Sequence, residues 1–160
     1  MKALSVRQPW AWAIACAGKT VENRSRVVAY RGFLAIHASK VYDEAAEIPV
    51  PAALSLLMDA VTQEMQGYPP PALALGAIVA VATLDGCHWH SDCLAPRKRG
   101  RIWQALPCSD WAERGQFHWT LTDVRPLAEP VPCKGALGLW RVPDEAEAAV
   151  RAQLETGDHQ

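Results

Sequence analysis

Three charged side chains fall within six residues, in the segment Gly18-Lys19-Thr20-Val21-Glu22-Asn23-Arg24. On a strand, Glu22 and Arg24 would share a face because they are two residues apart. A carboxylate flanked by two cations is held ionised, and it can orient the lysine or accept a hydrogen bond from a base amine. A lysine beside a guanidinium can become a nucleophilic or basic amine. The spacing therefore indicates a binding or catalytic site, and the alternative is a surface ion-pair cluster of little energetic value.

The neighbouring segments should hold these charges in place. Residues 2–6 alternate and predict a short strand. Pro9 suits the first turn of a helix, because its missing N–H costs nothing there, and Gly18 is a typical helix stop. Residues 32–38 form a continuous apolar run, which predicts a strand buried on both faces. Residues 76–84 predict a further strand that is too apolar for an exposed edge.

The rest of the chain adds helices and short strands. Strands are predicted over 117–125 and 137–142, and the Asp144–Glu147 spacing resembles a capping box that opens a C-terminal helix from about residue 144. Residues 85–116 predict a long irregular loop, and such loops are often functional. A helix over 52–66 should bury one stripe made of Leu54, Leu57, Met58, Val61 and Met65.

This order of elements predicts a mixed α+β fold. Several short strands without regular β–α–β alternation argue against a doubly wound sheet. A small, largely antiparallel β-barrel with helices packed on the outside fits better. We expect residues 1–160 to form one domain and the protein to be a monomer, since 160 residues can bury a sizeable core.

Composition narrows the class of protein. Half of the residues are hydrophobic and 21% are charged, which is typical of a globular chain. No apolar run approaches the roughly 18 residues of a membrane span, and the start lacks the apolar region of a secretory signal, so we expect a cytoplasmic protein. The five cysteines should therefore be reduced thiols. The formal charge is only −1, but residues 1–42 carry seven basic residues and one acid, which indicates either a basic face suited to phosphate or ordinary solvated charge.

Three segments near the N-terminus together resemble the ASCH domain, a branch of the PUA-like superfamily. They are Leu4-Ser5-Val6-Arg7-Gln8-Pro9-Trp10-Ala11, the segment from Gly18 to Arg24, and Tyr30-Arg31-Gly32-Phe33-Leu34-Ala35-Ile36-His37-Ala38-Ser39. The spacing Gly-Lys-x-x-Glu-x-Arg is a compact form of that family's motif. Residues 119–121 and 134–140 are similar to its closing strands, so the resemblance covers most of residues 3–143.

The resemblance implies a PUA-like barrel with a cleft at Lys19, Glu22 and Arg24, and a partner that is RNA, single-stranded nucleic acid or a nucleotide. Some members of the family cleave RNA, and one compact branch is an amidohydrolase acting on N4-acetylcytidine through a lysine, a threonine and a glutamate. Lys19 matches that lysine. Glu22 stands where that branch has its threonine, and the nearest acid to its later glutamate is Asp85. If the chain is a hydrolase, Lys19 and Glu22 are the expected acid and base.

Further residues are predicted to complete the pocket or to follow a phosphate backbone. Trp10 is the best of the tryptophans for stacking on a base, although core packing is the alternative for each of them. The predicted ligand-binding residues are Arg7, Gln8, Trp10, Lys19, Glu22, Arg24, His37 and Ser39. The basic cluster in the 85–116 loop could track phosphates or simply be solvated, and consists of Arg97, Lys98, Arg99 and Arg101.

Cysteine and histidine also recur in Cys87-His88-Trp89-His90-Ser91-Asp92-Cys93, with Cys108 and His118 further along. A structural zinc site needs four such ligands. The spacing contains no Cys-x-x-Cys pair, so the sequence favours a loop with buried free thiols, and we predict no metal and no cofactor.

Overall fold

The computed structural model describes residues 1–67, 70–93, 95–99 and 102–157, with the backbone alone at 95–99, 102–106 and 157. Within these ranges the chain forms eight strands and three α-helices. In chain order they are β1 (Lys2–Gln8), α1 (Trp10–Cys16), β2 (Val21–Arg24), β3 (Gly32–Tyr42), α2 (Pro51–Met65), β4 (Ala77–Trp89), β5 (Ala95–Arg99), β6 (Ile102–Leu106), β7 (Phe117–Pro132), β8 (Leu139–Arg141) and α3 (Asp144–Gly157).

Six strands form one open sheet in the order β2-β7-β4-β3-β1-β8. All neighbouring pairs are antiparallel except β1 and β3, which run parallel with α1 in the crossover between them. The mixed α+β fold and its largely antiparallel sheet are confirmed. β2 and β8 stand at opposite edges and do not pair with each other in this order, so the closed barrel expected from the sequence is not confirmed.

The sheet is buried on both faces. In β3, Leu34 and Ile36 belong to the core beneath α1 and α2, whereas Ala35 belongs to a second core that includes Val150 of α3. β4 alternates in the same way, with Ile78 on the α3 side. Helices on both sides explain why residues 32–38 read as one continuous apolar run, and the predicted burial of that strand on both faces is confirmed.

The helix α2 is where the sequence placed it, but its predicted stripe is only partly correct, since Leu57 is buried and Val61 packs against the core. The buried residues of α2 are Ala53, Leu57 and Ala60. Leu54 and Met58, like Met65, are exposed instead. Two of the three buried residues are thus small alanines, so large apolar side chains alone do not mark the buried face of this helix. None of the described helices is both long enough and apolar enough to cross a membrane.

The long irregular loop expected over 85–116 is wrong for the part before residue 107, whereas residues 107–116 do form turns and irregular backbone. β4 continues to Trp89, a 3₁₀ turn follows over His90–Cys93, and β5 and β6 pair as an antiparallel two-stranded sheet of their own. The apolar signal ends at Leu84, but cross-strand pairing carries β4 five residues further along β7. β7 runs for 16 residues and so supplies a partner that the local pattern of 85–89 does not reveal.

Candidate functional site

The turn after α1 directs Lys19 towards the inside of the molecule. Gly18 has a φ of 67°, a left-handed conformation that favours glycine. The Lys19 amide donates to the Ala13 carbonyl oxygen (3.0 Å) across this turn. β2 then pairs with β7. The backbone is therefore fixed before Lys19 by the helix end and after it by the sheet.

Glu22 bridges the two cations of the motif. Its Oε2 lies 3.3 Å from Lys19 Nζ, and its Oε1 lies 3.0 Å from Arg24 Nη2. Lys19 is 2% exposed and Glu22 is 7% exposed, and Lys19 Nζ also donates to the carbonyl oxygen of Val21. The surface-cluster alternative is therefore wrong. We call Lys19, Glu22 and Arg24 the triad.

Aromatic rings surround both cations of the triad. Lys19 Nζ lies 5.7 Å from the centroid of the Trp10 ring and 5.9 Å from that of Trp111. The guanidinium carbon of Arg24 lies 6.0 Å from the centroid of the Trp119 ring. These distances allow cation–π attraction, which strengthens as the cation loses water. The rings thus help to hold the two charges at fixed positions.

The triad lines an open cleft of about 560 Å³, a volume typical of small-ligand sites. Of the predicted ligand-binding residues, Arg7, Trp10 and Ser39 line the same cleft. Asp43 and Glu113 also line it, so with the triad it carries three cations and three carboxylates. The predicted cationic cleft is therefore balanced in formal charge, which suits a ligand with both donors and acceptors better than a bare polyanion.

One donor of the cleft is unused. Arg24 Nη2 donates to the backbone oxygen of Ser5 (2.9 Å) and to Glu22, but Arg24 Nε is buried and has no hydrogen-bond partner among the described residues. The Trp10 indole N–H, by contrast, is taken by Asp43 Oδ2 (2.9 Å). A buried unpaired donor costs free energy, so part of the Arg24 guanidinium is held at the cleft at a cost to stability.

Gln8 does not belong to the cleft, contrary to the sequence prediction. Its side chain is fully buried; its amide nitrogen donates to the carbonyl oxygens of Ala72 (2.7 Å) and Ala74 (3.2 Å), and its Oε1 accepts from the Trp12 amide (2.9 Å). That amide belongs to the first turn of α1, where Pro9 provides no side-chain cap. Gln8 therefore has a structural role at the helix start.

His37 lies beside the cleft, in a hydrogen-bonded chain with Ser5. The Trp140 indole N–H donates to Ser5 Oγ (3.1 Å), Ser5 Oγ lies 3.2 Å from His37 Nδ1, and His37 Nε2 lies 3.0 Å from the Cys133 carbonyl oxygen. A carbonyl only accepts, so Nε2 carries the proton and Nδ1 accepts from the serine hydroxyl. Ser5 and His37 are register partners of β1 and β3, which places them on one face.

His37 and Ser39 line a second hollow of about 790 Å³ next to the first. The two hollows share Ser5, Ser39 and Leu137. Lys40 and Lys134 supply the charge of the second hollow, and none of its described lining residues is acidic. Only Lys40 of these two lysines belongs to residues 1–42, so the basic face predicted for that part of the chain stays a prediction.

The basic cluster is only partly described. Arg97, Lys98 and Arg99 lie in β5, where the backbone alone is described, and Arg101 lies outside the described residues. Its predicted contact with phosphate stays a prediction.

Sequence reasoning missed Ser5, Asn23, Trp111 and Glu113 as lining or supporting residues. Asn23 Nδ2 donates to the Trp111 carbonyl oxygen (2.8 Å), and its Oδ1 accepts from the Glu113 amide (3.0 Å). This clamp joins β2 to a segment 90 positions later, so spacing could not reveal it. Asn23 lies inside the motif, and that was its only sequence signal.

Burial lowers the pKa of His37, and hydrogen bonding to backbone opposes this only in part. Because the folded-state pKa lies below the unfolded value of about 6.5, the stabilisation is fully present above that pH and is lost as pH falls through the folded-state pKa. We expect urea unfolding to show a larger loss of stability on going from pH 7.5 to pH 5 in the wild type than in His37→Gln. Equal pH dependence of the two proteins would contradict this.

No protein-family model matches the chain, and no curated protein is similar enough to it to count as a relative.

Proposed function

We propose that this chain binds RNA, single-stranded nucleic acid or a nucleotide in the triad cleft, and that it belongs to the ASCH branch of the PUA-like superfamily. The observation that carries the proposal is the triad at an open cleft, with Lys19 and Glu22 buried and the Arg24 side chain 30% exposed. Buried charges held in a fixed array are expensive to maintain, and such arrays concentrate at functional sites.

The triad cleft offers the groups that read the edge of a base. The Arg24 side chain is 30% exposed and has guanidinium N–H groups beyond those that Nη2 gives to Ser5 and Glu22, and the oxygens of Glu22 have lone pairs beyond those used by the two cations. Trp10 adds an aromatic surface at the wall. A base presents donors, acceptors and a π face together, so it matches a cleft of balanced charge better than a lone phosphate does.

The second hollow adjoins the triad cleft, so a single strand of nucleic acid bound in that cleft would extend into it. Lys40 and Lys134 face this hollow without a carboxylate among its described lining, so a phosphate attached to a base in the triad cleft would meet them. Leu137, which is 99% exposed, lies where the two hollows meet and offers an apolar contact to a base or ribose. A base site beside a lysine-lined phosphate site is the arrangement that single-stranded nucleic acid requires.

A hydrolase is the second candidate, favoured by a buried amine 3.3 Å from a carboxylate at the cleft. Lys19 and Glu22 would be the acid and base for RNA cleavage or for amide hydrolysis on a modified nucleoside such as N4-acetylcytidine. For the amide reaction, Glu22 replaces the hydroxyl that the resembling branch uses, and Asp85 is exposed on β4 and outside the triad cleft. RNA cleavage is therefore the better supported of the two reactions.

Arg24→Ala is expected to weaken binding of a fluorescein-labelled single-stranded RNA about tenfold or more, because a hydrogen bond to a charged group is worth about 1.5–3 kcal/mol. Fluorescence anisotropy at low and moderate salt measures this. Arg31→Ala is the matched control, since Arg31 is an exposed arginine bonded only to nearby backbone oxygens and lies outside both hollows.

The salt dependence separates the two hollows. Lys40→Ala and Lys134→Ala should each reduce the slope of log K against log salt by about 1. The same incubations, analysed for cleaved RNA and for deacetylated N4-acetylcytidine, decide between binding and catalysis. The absence of salt-dependent binding in the wild type, or equal binding by wild type and Arg24→Ala, would refute the proposal.

A further inference from the structure

Four side chains of the type that binds zinc meet at one point, away from the triad cleft. His88 lies on β4, Cys93 ends the 3₁₀ turn after it, Cys108 follows β6, and His118 lies on β7. His88 and His118 are direct register partners across the β4–β7 pair, with ring centroids 5.4 Å apart. Antiparallel pairing therefore supplies two imidazoles, and the two ends of the β5–β6 segment supply two thiols.

The distances match those of a tetrahedral ion site. One ligand atom from each residue lies within 4.8 Å of all the others. His118 Nδ1 lies 3.3 Å from Cys93 Sγ and 3.4 Å from Cys108 Sγ. In tetrahedral zinc, with Zn–S of about 2.3 Å and Zn–N of about 2.0 Å, a sulfur and a nitrogen ligand are about 3.5 Å apart. Both sulfur–nitrogen distances thus already have the values that coordination requires.

The surroundings orient His118 for coordination. His118 Nε2 donates to the backbone oxygen of Glu113 (2.7 Å), which leaves Nδ1 unprotonated and directed at the two sulfurs. A metal-binding histidine commonly donates its other N–H to a carbonyl or carboxylate in this way. Nε2 of His88 is buried and has no hydrogen-bond partner among the described residues, and an ion bound through it would satisfy it.

We propose that His88, Cys93, Cys108 and His118 form a structural zinc site. Two thiolates and two imidazoles in a tetrahedron are a donor set typical of zinc, and four protein ligands leave no open position for catalysis. The sequence prediction of no metal rested on the cluster from Cys87 to Cys93, whose spacing lacks a Cys-x-x-Cys pair. The structure combines two members of that cluster with two residues further along the chain.

The site would fix two parts of the molecule. Cys93 and Cys108 enclose the β5–β6 pair, so an ion would hold both ends of this segment against β4 and β7. The segment from Cys108 to His118 also contains Trp111 and Glu113, which Asn23 clamps beside the triad. Zinc would therefore support one wall of the cleft from behind without touching a ligand.

The test uses the full chain under reducing conditions. Elemental analysis should find about one zinc ion per chain, as four ligands to one ion require. After chelation, titration with Co²⁺ should give the visible bands of tetrahedral cobalt and a thiolate charge-transfer band, and added Zn²⁺ should abolish both. Removal of zinc should lower the melting temperature by about 5–15 °C. Cys93→Ser and Cys108→Ser should lose the charge-transfer intensity and most of the bound metal.

Cys87→Ser is the matched control, because Cys87 is the neighbour of His88 in β4 but lies outside the cluster. It should keep the zinc and the cobalt spectrum. The cobalt titration of the wild type needs no variant, so it decides the matter even where a variant fails to fold. A wild type that binds neither ion, a cobalt spectrum without a thiolate band, or equal metal loss in Cys87→Ser would overturn the proposal. None of these measurements depends on RNA binding, so the zinc proposal and the RNA-binding proposal can each fail without the other.

Discussion

Glu22→Gln is expected to destabilise the folded chain by about 3 kcal/mol or more, as found when one partner of a buried ion pair is removed. The glutamine keeps the shape of the side chain and one acceptor oxygen, but it removes the negative charge beside the Lys19 ammonium, which is 2% exposed. Because each carboxylate oxygen faces one cation, the new NH2 group must point at either Lys19 or Arg24. Arg24 loses its carboxylate partner at the same time. Urea unfolding followed by circular dichroism measures the change.

Two further variants separate burial of charge from loss of a carboxylate. Glu113→Gln makes the same chemical change at an exposed position of the same cleft, and its effect should stay within about 0.5 kcal/mol. Lys19→Met added to Glu22→Gln removes the unpaired ammonium and should recover most of the lost stability. A loss below about 1 kcal/mol in Glu22→Gln would show that water screens the triad as it screens a surface pair.

Gln8→Ala should destabilise the chain by about 2–4 kcal/mol, because it leaves buried groups unpaired and opens a cavity. The Trp12 amide loses its acceptor at the start of α1, and the carbonyl oxygens of Ala72 and Ala74 lose their donor. Binding of RNA by the folded fraction should be unchanged, since the Gln8 side chain does not line the cleft.

Arg7→Ala changes the neighbouring exposed position and should have the opposite effects to Gln8→Ala on stability and on RNA binding. Arg7 lines the cleft, so its loss should weaken RNA binding with an effect on stability of at most about 0.5 kcal/mol. Thermal unfolding measures the stability of each variant, and fluorescence anisotropy measures its affinity for RNA. If Gln8→Ala were stable and defective in binding, the role predicted from the sequence would be correct and the structural role wrong.

The strands of the central sheet could be predicted because their apolar pattern is local, so it can be recognised without knowing which strands they pair with. Residues 32–38 are apolar at every second position and also between those positions, which only a sheet covered on both faces tolerates. Residues 85–89 carry no such signal, and they extend β4 only because the long β7 lies alongside them. Closure of the sheet depends on the pairing of its edges, which residue type does not specify.

Gln8 was wrongly predicted to bind ligand because its side chain is polar. A glutamine beside Arg7 and Trp10 looks like a ligand contact, but the chain uses it to compensate for Pro9, which cannot cap α1 through its side chain. The error in α2 has a related origin, since hydrophobic size placed Leu54, Met58 and Met65 in the buried stripe although all three are exposed. The opposing surface decides which face of a helix is buried, and the sequence of the helix does not contain that information.

The triad and the cysteine–histidine cluster show how far the local spacing of residues can predict a site. Lys19, Glu22 and Arg24 lie in one short segment, so their proximity followed from sequence, whereas their burial followed only from the position of β2 beside β7. His88 and His118 are 30 positions apart and meet through strand register. No local motif spans such a distance, so the second site was visible only as an excess of cysteine and histidine.

The segment from Cys93 to Cys108 leaves the sheet and returns to it at almost the same point, with the two sulfurs no more than 4.8 Å apart. The register of β4 and β7 therefore does not depend on how many residues lie between them. Doubling the length of such a closed excursion costs only about 0.6 kcal/mol in closure entropy. Evolution or an engineer could therefore lengthen or replace this segment while the strand register and the triad stay as they are.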